Sequence, residues 1–248
     1  MMNRRMVQFL FFGSLMLLGV ALWKKDELPQ FPQLQQALMN EPEQVPVKRV
    51  AFDTTVNGVT YRIQPLYSYN LYGLVVSLHD ARTWWDSIHQ EWNDHLNVMD
   101  LCVVWGNNLR RGVYKEAEYS SNEFECSFKV NSAEVFRIFD QAALSNNHLL
   151  TDKPGIARAM RMVRLGDQIH FRGYLAEYSH NHNGRPFHRG TSTVRNDTGS
   201  RACETVFVED FEILRPGGGP WRAIVWIAVF LIGVSVIGWF RLPLSTNV

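Results

Sequence analysis

Cysteine is scarce in this chain. Cys102, Cys126 and Cys203 are the only three among 248 residues. No CxxC occurs, which removes support for a thioredoxin-like redox role. Zinc-ribbon spacing and HExxH are missing, and so are the Walker and dinucleotide glycine patterns and a nucleophile elbow. An excess of one charge is also lacking, since 25 Lys/Arg face 24 Asp/Glu. Nucleic-acid binding, which asks for a broad basic footprint, is therefore not expected.

Long hydrophobic runs are what the chain does have. Met6 to Trp23 and Ala223 to Phe240 are each uncharged, flanked by Arg5 and Lys24 and by Arg222 and Arg241. Each would span roughly 27 Å as a helix, close to a bilayer core. Trp23, Trp221 and Trp239 stand at their ends, as interfacial aromatics do. Two transmembrane helices are expected. The first run also resembles a cleavable signal peptide, but Leu22-Trp23-Lys24-Lys25 is a poor mature start and favours retention. Arg4 and Arg5 bias the termini to the cytoplasm and the centre to a bacterial periplasm, a two-pass inner-membrane arrangement.

The domain plan reads as residues 1–25, a transmembrane helix; 26–47, a proline-spaced linker; 48–215, a β-rich extracytoplasmic domain; 216–220, a Gly/Pro hinge; and 221–241, the second helix. The centre is organised around Gly166 to Leu175. Gly166-Asp167 turns the chain, and Ile169, Phe171, Gly173 and Leu175 share one face of the strand that follows. Gly173 invites strong coiling or a bulge. Asn57-Gly58 marks a hairpin. Trp85, Ile88, Trp92 and Leu96 recur at helical spacing and predict a helix over 80–96, with this stripe in the core. Thr151 or Asp152 caps a helix opened by Pro154. The fold class expected is mainly β with short helices (α+β), a small curved OB-like β-barrel held between the two membrane helices.

Lys153 to Arg201 carries nine basic and three acidic residues, either a solvated face or an anion surface. Arg172, Arg189 and Arg195, with Tyr174 to stack a ring, are the candidate ligand-binding set for an anionic glycan, lipid headgroup or nucleotide. His180 and His182 form an HxH pair that would need a third ligand such as His188 to hold zinc. With Asp197 or Glu204 added, this loop is the candidate centre of a metal-dependent hydrolase. Otherwise no cofactor is expected. His79, His89 and His95 form no metal motif in the sequence, and His148 reads as a turn residue. A strand over 124–130 pairing with Leu101–Trp105 would make Cys102 and Cys126 neighbours and a candidate disulfide.

The helix, Gly-Asp turn, Gly173 strand, long loop and closing strand of residues 153–215 resemble the second half of an oligonucleotide/oligosaccharide-binding fold. Tyr72-Gly73-Leu74-Val75-Val76-Ser77, Trp105-Gly106-Asn107-Asn108, Leu144 to Leu150, and Asp197-Thr198-Gly199 through Cys203-Glu204-Thr205 are similar to an uncharacterised family of bacterial inner-membrane proteins. That resemblance implies no activity. The function expected is a non-enzymatic envelope scaffold or accessory subunit, with the bilayer and another envelope protein, or a second copy, as partners.

Overall fold

The computed structural model describes residues 3–194 and 203–242. The chain divides into two units: residues 1–29 with 217–248, and residues 30–216.

The first unit contains α1 (Arg4–Lys24) and α6 (Trp221–Arg241). Asn3 caps α1, its side chain accepting from the Met6 amide. The Arg4 guanidinium lies 4.8 Å above the Trp239 ring, so the start of one helix meets the end of the other. Phe9, Phe12, Met16, Trp226, Phe230 and Phe240 stay exposed. By length and composition both helices suffice to cross a membrane.

The second unit holds β1 (Glu43–Pro46), β2 (Phe52–Val56), β3 (Val59–Asp80), α2 (Ile88–Glu91), β4 (Asn97–Val104), α3 (Gly106–Arg110), β5 (Ala117–Asn122), β6 (Glu125–Val130), α4 (Ala133–Ile138), β7 (Leu144–Leu150), α5 (Pro154–Arg161), β8 (Gln168–His182), β9 (Arg185–Arg189) and β10 (Cys203–Arg215). Eight strands form one mixed sheet, and β5–β6 is a separate hairpin. Asn57 and Gly58, both at positive φ, make the tight turn between β2 and β3.

Strand β3 is long enough to serve two partners. Its first two thirds pair with β8 and its last third with β4. Hydrogen bonding then runs from β4 to β7, in parallel from β7 to β10, and from β10 back to β8. The inner face packs Leu71, Val75, Leu101, Val103, Trp105, Ile169, Phe171 and Val206. Helix α5 packs against the same core through Ile156 and Met160. Pro154 stands in its first turn, where the lost N–H costs nothing.

Gly173 on β8 lies opposite Val208 on β10, with the Phe207 backbone close by. A Cβ there would lie 2.0 Å from the Phe207 carbonyl oxygen, and the β10 register shifts just beyond, between Val208 and Asp210. The constraint at this glycine is space.

Several expectations are corrected. The domain is an α+β fold on an eight-stranded mixed sheet, not the small OB-like barrel expected. Strands β1, β2 and β9 extend the sheet, and the β5–β6 hairpin lies apart from it. Residues 30–47, expected as a linker, fold onto this unit: Leu38 and Met39 are buried and β1 pairs with β3. The predicted helix over 80–96 is reduced to the single turn α2, and of its expected core stripe Leu96 is buried whereas Trp85 and Trp92 are exposed, as is the neighbouring Trp84. Asp80 explains the break. Its carboxylate accepts from the Arg82 amide and its carbonyl from the Thr83 amide, a local turn that competes with helix. Finally, β6 pairs with β5 and not with β4.

Candidate metal centre

Sheet register builds a polar row. His79 on β3 is opposite Asp100 on β4, Asp100 is opposite His148 on β7, and His148 is opposite Thr205 on β10. One pair further along, Ser77, Cys102, Asn146 and Cys203 are matched in the same way. Two pieces outside the main sheet pack near these side chains, the irregular segment between β3 and β4 and the β5–β6 hairpin. Ser77 and Ser121 hydroxyls lie 2.6 Å apart, and Cys102 and Cys126 are disulfide-linked with Cα atoms 5.7 Å apart.

The segment between β3 and β4 brings Asp86 and His89 over His79. One Asp86 oxygen, Oδ2, lies 2.8 Å from His79 Nε2 and 2.6 Å from His89 Nδ1. The other, Oδ1, accepts the His89 backbone N–H at 3.0 Å, so the carboxylate also opens the short helix α2. All three side chains are buried: His79 is 7%, His89 2% and Asp86 0% exposed. Two imidazoles and a carboxylate converging in this way form a cluster that could coordinate a metal ion, and it is the only such group among the described residues.

Behind it runs a second buried chain of polar contacts. Asn97 Nδ2 lies 2.9 Å from both His89 Nε2 and Asp100 Oδ1. His148 Nδ1–H donates to Asp100 Oδ1 at 2.6 Å, and the Phe124 amide donates to Oδ2 at 2.9 Å. Arg189 Nη2 donates to His148 Nε2 at 2.7 Å. Burial alone would raise the Asp100 carboxyl, but the His148 and Asn97 donors outweigh it and hold the group at about 2. Burial pulls His148 below its ordinary range against the opposing pull of Asp100, and nearby Arg189 adds to the lowering. A neutral His148 that donates through Nδ1 and accepts through Nε2 fits both contacts.

Phe124 is the lid residue of this chain. It occupies the hairpin turn at φ +61°, a left-handed conformation unusual for a bulky side chain. Its ring packs 4.1 Å from the His89 ring, and the Arg189 guanidinium stands 3.8 Å above it.

The residues expected from sequence fall elsewhere. His180 and His182 lie on β8, and His188 on β9. His180 Nε2–H donates to the Trp92 carbonyl among Tyr61 and Phe187, while His188 is exposed 3.6 Å from Glu177. The three do not converge. Arg172 is exposed and paired with Asp210 at 3.2 Å. Tyr174 lies beneath the Arg49 guanidinium and shares a shallow groove with Arg172 and the acids Glu43 and Glu209. Arg189 is on β9 beside His148, away from that groove, and Arg195 and Asp197 lie outside the described residues. The Cys203 thiol is pushed up to about 11, mainly by burial, and so is a poor nucleophile at neutral pH.

The fold and site thus define an α+β domain with a buried His/Asp cluster of metal-ligating geometry. No family model, no curated protein and no solved structure matches the chain. The resemblances to an inner-membrane family and to an OB fold are corrected accordingly.

Proposed function

We propose that residues 30–216 form a metal-dependent binding or catalytic domain centred on His79, Asp86 and His89. The observation that carries this reading is the convergence of the two imidazoles on one carboxylate oxygen, at 2.8 and 2.6 Å. A buried cluster with this chemistry suits an active domain better than the passive scaffold expected from sequence, and that expectation is withdrawn.

Zinc is the ion this donor set suits, because borderline imidazoles combine with one hard carboxylate. His79, Asp86 and His89 would hold the ion, and a zinc ion held there would supply the Lewis-acid and water-activating chemistry of a hydrolase. The hydrolytic alternative therefore moves from the His180, His182 and His188 region to this cluster. Asp86 would hold the ion and offset half of its charge. Thr83 and Asp86, joined by a backbone hydrogen bond, shape the turn that presents the carboxylate.

The uncharged runs within α1 and α6 support bilayer anchorage, and a disulfide suits a periplasmic site.

The test uses the full chain purified without chelators. Elemental analysis should find one zinc per chain, and Asp86→Ala should lose it. A protein that retains no ion, and whose melting temperature does not rise on zinc addition, refutes the reading.

A further inference from the structure

We propose that Asn97 is a positioning residue that decides which ring nitrogen of His89 carries the proton, and so holds the empty centre in a form that resists metal uptake. This rests on the metal reading above.

Asp100 fixes which end of the Asn97 amide faces it. Its Oδ1 already accepts from His148 Nδ1–H, and its Oδ2 from the Phe124 amide. Such a carboxylate offers Asn97 only acceptors, so the nitrogen of the Asn97 amide must face it, as it does at 2.9 Å. The same nitrogen is 2.9 Å from His89 Nε2. With an N–H donor opposite, Nε2 must present its lone pair. The ring proton is then on Nδ1, where it donates to Asp86 Oδ2.

Nδ1 is also the nitrogen that faces the proposed metal position. Before it can bind an ion, its proton must leave, and the neutral ring must carry that proton on Nε2. There it would meet the Asn97 NH2 group, donor against donor. The acceptor needed is Asn97 Oδ1, which is buried and has no hydrogen-bond partner. Turning the amide to supply it would set that oxygen against the Asp100 carboxylate. Asp100 and Asn97 together therefore oppose loading, although neither is a ligand.

Two measurements on the full chain test this. In the zinc-free wild type, 15N NMR of the histidine rings should show His89 protonated on Nδ1, with its signals assigned by their loss in His89→Gln. Protonation on Nε2 overturns the proposal. Second, Asn97→Leu removes the donor at similar size. In competition with a chromophoric chelator it should bind zinc about tenfold more tightly than wild type, the scale of one hydrogen bond. Equal or weaker binding by the folded variant overturns the role of Asn97 and leaves the metal centre standing. Zinc binding by neither protein overturns both.

Discussion

Two histidine-rich regions of this protein invite comparison. One, on β8 and β9, is dense in sequence: His180, His182 and His188 fall within nine positions. The other is spread out, with His79, Asp86, His89, Asn97, Asp100 and His148 drawn from three strands and an irregular segment. The dense region does not converge, since His180 bonds to a backbone carbonyl and His188 faces solvent. The dispersed one converges because sheet register sets His79, Asp100 and His148 side by side, and a short covering segment adds Asp86 and His89. Spacing along a chain predicts metal chemistry only where the ligands share one local element. Here they are assembled by strand pairing.

Substitutions can break this contrast, and the largest effect is expected at Asp86. Asp86→Ala leaves two buried imidazole N–H donors without their acceptor and should cost about 2–5 kcal/mol in urea unfolding. The triple change of His180, His182 and His188 to Ala should leave zinc content at the wild-type level. Equal zinc loss in both proteins would erase the distinction between the regions.

Next is the link that ties the hairpin over the dispersed cluster. Cys102 and Cys126 are 24 positions apart, so closing that loop should contribute about 3 kcal/mol by the chain-entropy account. Replacing both by Ser and comparing denaturant midpoints gives the figure directly. A change below a few tenths would mean that the hairpin is held by its other contacts alone.

Acid should discriminate further. His148 has a folded pKa below its unfolded value of 6.5, and Asp100 about 2 against 3.8. In both cases the unfolded chain binds the proton first, so stability falls as pH falls. Loss should begin below pH 6.5 through His148 and resume between about 4 and 2 through Asp100. The Asp100 stage amounts to about 2 kcal/mol. Asp100→Asn should flatten the lower stage. Persistence of that stage in the variant would assign it to another carboxylate.

The smallest effect is expected on the covering segment itself. Trp84 and Trp85 project into solvent, so changing either to Ser should move stability by no more than about 0.5 kcal/mol. A larger loss would show that their rings cover something that matters to the cluster.

Local chemistry was the legible part of this fold. The Asn57-Gly58 turn, the helix opened by Pro154 and the Gly166-Asp167 turn each depend on a few adjacent residues, and each was readable; the crowding at Gly173 depends on distant Phe207 and was not. The 80–96 stretch was not. Its apolar spacing fits a helix, but Asp80 ties the backbone into a turn, and the tryptophans carrying the pattern point outward. Sheet order was likewise hidden, because nothing local announces that β3 will serve both β4 and β8. The cluster was missed for the same reason. His79 and His89 were judged by their separation along the chain, whereas a β-strand end and a single helical turn bring them together. The available signal was Asp86, one of two acids between His79 and His89 and next to a tryptophan pair, and that pattern is weak without the register.

The contact at Gly173 limits how this protein can vary. Its φ lies outside the left-handed region, so ordinary L side chains are not barred by backbone conformation. What bars them is the carbonyl of Phe207, a residue 34 positions later in the chain. A saturation library at this codon should return glycine alone, even alanine being refused, and the route to tolerance would lie in reshaping the neighbouring strand.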